Sequence, residues 1–142
     1  MFRCAARAIT PKQIVEVIGA AMAALAILLA LPASAQSHRN FPAHALRGEL
    51  LINEPPEGLL NGRPARLAPG ARIRGDDNML RMSGALAGQK VIVHYTRENG
   101  TGLLQDIWVL NATERANRMW PTTEADARAW VFDPVGQTWS RP

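Results

Sequence analysis

The sequence predicts a mainly β domain of α+β type, a small five-stranded antiparallel barrel or rolled sheet with a short C-terminal helical extension, after a signal peptide. Three observations carry this expectation. Residues 91–97 and 103–110 are rich in β-branched and aromatic side chains and flank the turn residues Glu98, Asn99, Gly100, Thr101 and Gly102. Because Asn-Gly tolerates positive φ, these stretches read as one β-hairpin. Turn signals then recur roughly every ten residues along the chain before it, the grammar of short strands in a closed or rolled sheet. After Leu110 the pattern changes to capping residues followed by alanines, which favour short helices.

Residues 1–35 have the three parts of a secretory leader. Arg3, Arg7 and Lys12 form its basic start, the uncharged run 17–31 its apolar middle, and Pro32 followed by Ala33, Ser34 and Ala35 its cleavage box. The apolar run is short of the roughly 20 residues that span a bilayer, so cleavage before Gln36 is expected over an uncleaved anchor, leaving no stable membrane span. No Arg-Arg pair precedes the run and no cysteine follows it, which favours the general secretory route and argues against lipoprotein attachment. The expected mature chain is 142 minus 35, or 107 residues, one domain. Cys4, the sole cysteine, lies in the leader. The exported chain therefore carries no disulfide, thiol nucleophile or Cys metal ligand.

The isoelectric point near 10.2 invites a nucleic-acid reading, which the charge distribution weakens. Of 16 basic and 12 acidic residues, three and one lie in the leader, leaving 13 and 11 and a net charge of +2. A near-neutral exported domain is not expected to bind nucleic acid.

Residues 36–44 are polar and read as a flexible lead-in. Residues 45–52 alternate, with Leu46, Gly48, Leu50 and Ile52 on one face and Arg47, Glu49 and Leu51 on the other, the pattern of a half-buried strand. Gly48 in its middle suggests a bulge or bend. Pro55 and Pro56 end this strand, and Asn61-Gly62 forms the next turn between Leu59-Leu60 and the segment 63–67, which Pro64 confines to an edge or makes irregular. Pro69-Gly70 reads as another turn before a short strand over 71–74, and Asn78 as the N-cap of a helical turn carrying Met79, Leu80 and Met82. In the hairpin, Val91, Val93 and Tyr95 share a face, and the second arm alternates Leu103, Gln105, Ile107 and Val109 against Leu104, Asp106, Trp108 and Leu110. Asn111 or Thr113 caps one short helix through Arg118, Thr123 caps another through about Trp130, and 137–140 adds a last extended piece.

The runs Leu46-Arg-Gly-Glu-Leu, Asn61-Gly62, Gly88-Gln-Lys-Val-Ile-Val-His-Tyr and Gly102-Leu-Leu-Gln-Asp-Ile-Trp-Val resemble the exported bacterial small-barrel domains of the OB-like kind. The resemblance covers residues 45–110, implies a five-stranded barrel and brings no catalytic residue with it. The segment 111–142, with Trp120, Trp130 and Trp139, departs from that pattern and is expected to pack on the barrel.

Four constellations could carry chemistry. Arg72 and Arg74 share a strand face with Arg66, Arg63 and Arg81 nearby, a guanidinium cluster for a carboxylate, phosphate or acidic glycan, or else a solvated face balanced by Glu57, Asp76 and Asp77. Trp120 and Trp139 are the tryptophans expected to be exposed as stacking platforms, whereas Trp108 is expected in the core. His38, His44 and His94 with Asp76 and Asp77 are metal-ligand types at spacings that fit no zinc site, so no metal and no cofactor is expected. His94 should point away from Val93 and Tyr95, hydrogen-bonded or solvated. Ser83, His94 and Asp106 are the residue types of a hydrolytic triad, but no glycine elbow surrounds Ser83. The expectation is thus a periplasmic or secreted, non-enzymatic binding or scaffold module for an anionic ligand or an envelope partner, with Arg72, Arg74, Arg66, Trp120 and Trp139 as candidate contacts. A small cell-envelope hydrolase and a structural subunit docking through the C-terminal segment are the alternatives.

Overall fold

The computed structural model describes residues 39–142, and the leader read over 1–35 lies outside the described residues. The chain is mainly β with two short helices. Strands β1 (Leu46–Glu54), β2 (Glu57–Leu60), β3 (Arg63–Arg74) and β4 (Leu80–Arg81) precede a 3-10 turn at Ser83–Leu86. Strands β5 (Lys90–Arg97) and β6 (Leu104–Val109), helices α1 (Ala112–Ala116) and α2 (Glu124–Ala129), and strands β7 (Val131–Asp133) and β8 (Thr138–Ser140) follow. One six-stranded sheet runs β2-β1-β5-β6-β3-β4, with β2 also paired to β3, and β7-β8 is a separate hairpin.

The hairpin expected over 91–97 and 103–110 forms as β5 and β6, with Gly100 and Gly102 at φ of 92° and 70° in its turn. Asn61 and Gly62, at φ of 51° and 75°, likewise close β2 onto β3. The alternation expected for β1 holds, and Leu46, Leu50 and Ile52 join Val93 and Tyr95 of β5 in the inner core. No bulge occurs at Gly48, which pairs regularly with Val93. Glycine is needed there for space: a Cβ would lie 3.0 Å from Leu60 Cδ1 and 3.1 Å from the Tyr95 ring. The irregularity in β1 falls instead between Ile52 and Glu54.

Four further expectations are corrected. The segments 63–67 and 71–74 are one 12-residue strand. Gly70, at φ 79°, lets the chain bulge between Leu67 and Arg72 and continue, so Pro69-Gly70 is no turn. The sheet is not wholly antiparallel, because β3 and β6 pair parallel. Asn78 caps no helix: it takes φ 65° in a turn where Gly75 N donates to Met79 O, and Leu80 enters edge strand β4. Finally, the plain alternation of the second hairpin arm is broken by a register shift between Tyr95 and Arg97 that places both Leu104 and Ile107 in the core. A bulge inverts the side-chain phase beyond it, which period-2 counting cannot anticipate.

Asn111 caps α1 in a reciprocal box with Glu114, and Thr123 caps α2 by accepting from Asp126 N. α1 is shorter than a helix through Arg118, and the single expected C-terminal strand has a partner, β7. This segment covers the outer side of the sheet. Arg47 N donates to Pro121 O at 2.8 Å and Trp120 Nε1 to Ala45 O at 2.8 Å. A second cluster of Phe41, Ala45, Leu110, Trp120 and Trp139 forms between them, backed by Ile92, Trp108 and Phe132. Within the lead-in Arg39 and Phe41 are buried, whereas Asn40, Ala43 and His44 are exposed. Among the described residues no helix is long and apolar enough to cross a membrane.

Candidate functional site

Strand alternation that sends Val93 and Tyr95 inward sends His94 outward, onto the face that the C-terminal segment covers. His94 is 2% exposed. Its ring stacks on Trp120 at a centroid distance of 4.0 Å and 22° and meets Phe41 edge-on at 4.5 Å. Neither ring nitrogen has a hydrogen-bond partner among the described residues. The expectation of a hydrogen-bonded or solvated histidine is thereby corrected.

Two arginines flank it. Arg39 Nε donates to Glu114 Oε1 at 2.8 Å and Nη2 to Glu114 Oε2, while Nη1 and Nη2 reach Gly75 O and Val109 O at 2.7 Å each. Glu114 is held for this by the capping box of α1, where Oε2 accepts from Asn111 N at 3.0 Å. Arg47 donates to the carbonyls of Asn117 and, at 2.8 Å, of Arg115, the end of α1 where helical carbonyls lack partners. Burial and the neighbouring Arg118 lower its pKa. Burial first, then Arg47 and Arg39, push His94 down to about 3 from 6.5, so the imidazole is neutral at pH 7. A pocket of about 120 Å³ opens here, lined by Arg39, His94, Thr113, Asn117, Trp120 and Gln137 among others.

The sign of the resulting pH dependence follows from linkage. Between about 3 and 6.5 the unfolded chain holds a proton on His94 that the folded chain does not, so stability rises with pH in that window. The contribution is complete above about 6.5 and is lost as pH falls towards about 3. Urea unfolding of wild type and His94→Leu should show wild type losing about 2–3 kcal/mol more between neutral pH and about pH 4.5. Parallel curves for the two proteins would refute a neutral buried imidazole.

A second, open feature lies at the β5–β6 turn. This groove of about 890 Å³ is lined by Leu46 and Tyr95 together with Arg97, Glu98, Thr101 and Arg128. Arg97 sits 5.6 Å over the Tyr95 ring and donates to Gly102 O at 2.9 Å. Arg128 pairs with Glu124 at 3.1 Å.

The arginines singled out from sequence lie elsewhere, on β3. Arg66 pairs with Glu57 at 3.3 Å and Arg72 with Asp106 at 2.8 Å, its neighbour across the parallel register. Arg74 is half-buried with no ion pair among the described residues. None of the three lines the pocket or the groove. The expected exposure of Trp120 and Trp139 is corrected: they are 2% and 5% exposed, and Trp108 is only half-buried. The reason is that the segment 111–142 folds its aromatic side onto β5 and β6. Ser83, His94 and Asp106 form no hydrogen-bonded triad, since Asp106 is held by Arg72 and His94 has no partner among the described residues. Nor do three His, Cys, Asp or Glu side chains converge among the described residues.

Sequence reasoning missed Arg39, Phe41, Thr113 and Asn117. Only Glu114 carried a local signal, at the third helical position after a capping Asn. Arg39 and Glu114 are 75 positions apart, and no periodicity links them. Comparison with family models, curated proteins and solved structures gives no match.

Proposed function

We propose that this chain is an exported, non-catalytic binding module of OB-like architecture that seats a short segment of an envelope partner in the groove at the β5–β6 turn. The observation that carries the reading is the groove itself. Its volume of about 890 Å³ falls in the range of sites that bury a peptide-sized or drug-sized ligand. Its lining combines an apolar and aromatic part, Leu46 and Tyr95, with charged groups of both signs, the mixture suited to a polypeptide. The barrel is supported by a ring of pairings in which β1 meets β2, β2 meets β3, β3 meets β6, β6 meets β5 and β5 meets β1. Such closure leaves no long free edge, and the short β4 lies outside the ring. Export is supported by the leader pattern of residues 1–35.

Photo-crosslinkers placed at Asn99 or Thr101 in the full chain, expressed in a bacterial host, should each capture the same envelope protein. A probe at Val135, exposed and outside the groove, should capture none. Mass spectrometry of the recovered chain should find Gln36 at its start. No adduct from the groove positions, or equal adducts from Val135, would overturn the binding reading. An intact leader on all of the protein would overturn export.

A further inference from the structure

We propose that Asn99 is a site of spontaneous deamidation, and that the fold leaves the Asn99-Gly100 pair open to this reaction while it locks the pair Asn61-Gly62. The inference does not depend on what the groove binds. The side-chain carbonyl carbon of an asparagine can close a five-membered ring with the nitrogen of the next residue. Closure needs a following residue without a side chain in the way, a free N–H, and an amide group not held elsewhere. Only Asn61 and Asn99 precede glycine; Phe41, Glu54, Met79, Ala112 and Arg118 follow the other asparagines.

The two pairs sit in different turns. Asn99 and Gly100 are both exposed, at the apex of the β5–β6 loop. That loop is closed at its base, where Glu98 N donates to Leu103 O at 2.8 Å and Gly102 N to Glu98 O at 3.0 Å. Its side-chain hydrogen bonds run between Thr101 and Glu98 and from Leu103 N to Thr101. Among the described residues, neither the Asn99 amide group nor the Gly100 N–H has a hydrogen-bond partner.

Asn61 is exposed as well, but its side chain is laid back on β1. Its Oδ1 accepts from Glu49 N at 2.8 Å, and its own N–H donates to Glu49 O at 2.8 Å. The same Oδ1 lies 3.1 Å from where a Cβ on Gly48 would stand. Swinging the Asn61 amide towards Gly62 N would break the bond to Glu49 N and strip a strand donor of its partner. Exposure does not separate the two pairs. Hydrogen bonding does.

At Asn99 the Gly100 nitrogen gives up its proton and bonds to Cγ. The bond from Cγ to Nδ2 breaks, and ammonia leaves carrying that proton, with no electron transferred to or from the chain. Water then opens the resulting succinimide at one of its two carbonyl carbons. One opening leaves an aspartate at position 99. The other leaves an isoaspartate, in which the main chain runs through the former side chain and is longer by one methylene. Because Asn99 lines the groove at the β5–β6 turn, either product places a new carboxylate on the groove wall.

The test uses the full-length chain expressed in a bacterial host, purified at slightly acidic pH and then incubated folded at mildly alkaline pH. Peptide mapping by mass spectrometry follows the amide-to-acid mass gain at each asparagine, and chromatography separates the aspartate and isoaspartate forms. In the folded protein Asn99 should convert faster than Asn61 by about tenfold or more, the factor that a retained hydrogen bond supplies. In concentrated urea, where both turns are open, the two rates should become similar. Asn99→Gln, whose longer side chain would have to close a six-membered ring, should remove the fast site and leave the slow conversion of Asn61 unchanged. An Asn99 that stays intact in the folded protein, an Asn61 that converts equally fast there, or the same ratio of rates folded and in urea would each overturn the proposal.

Discussion

Replacing Trp120 by alanine is expected to cost about 3–5 kcal/mol of folding stability, the range for removing a buried tryptophan from a packed core. Trp120 is 2% exposed, and its ring meets four other aromatic rings where the C-terminal segment joins the sheet. It stacks on His94 and meets Phe41, Phe132 and Trp139 edge-on at centroid distances of 5.7, 5.9 and 6.1 Å. Its Nε1 also satisfies the Ala45 carbonyl at 2.8 Å, an acceptor the variant leaves unpaired. Urea unfolding at neutral pH measures the loss. Trp120→Phe should recover most of the packing but not this hydrogen bond, leaving a deficit of about 1–2 kcal/mol. A loss below about 1 kcal/mol for the alanine variant, typical of surface sites, would mean that the segment does not pack as described.

Arg39→Ala should be comparably severe, at about 3–5 kcal/mol, although Arg39 stands in a stretch that reads as a loose lead-in. Its side chain is 5% exposed and that of Glu114 14%. Truncation strands the Glu114 carboxylate and removes the donors to Gly75 O and Val109 O, so one change affects the start of the domain, β6 and α1 together. Removing the stranded charge is the informative control. Arg39→Met combined with Glu114→Gln keeps the capping box of α1 and should be less destabilised than Arg39→Ala alone, because a buried unpaired charge costs more than an uncharged packed pair. Equal destabilisation in the two proteins would show that the cost lies in the lost carbonyl contacts rather than in the carboxylate.

Much of the sheet was legible from local chemistry. The β5–β6 hairpin, the Asn61-Gly62 turn, the inward face of β1 and the caps at Asn111 and Thr123 each depend on residues within a few positions of one another. Where the reading went astray, a neighbour decided the outcome. Gly70 could have closed a turn, but pairing of β3 with β6 carries the strand through it. Leu80 had helical company in Met79 and Met82, but the β3 edge offered Ile73 and Arg74 as partners. Gly48 looked like a bend because the approach of Leu60 and Tyr95 is invisible along a single strand.

The candidate site was least legible of all. The outward position of His94 followed from strand alternation, yet its burial did not. An outward residue is solvated or buried according to what lies over it, and here the cover comes from both ends of the domain. Sequence by itself determined the β5–β6 hairpin, the inner face of β1, the Asn61-Gly62 turn and the caps of α1 and α2, because alternation and side-chain-to-backbone bonding act over short range. Tertiary structure alone decided that Trp120 and Trp139 are buried, that Arg39 pairs with Glu114, and that His94 is neutral beside a pocket. Those outcomes depend on contacts between residues tens of positions apart, whose energy exists only once the C-terminal segment has docked on the sheet.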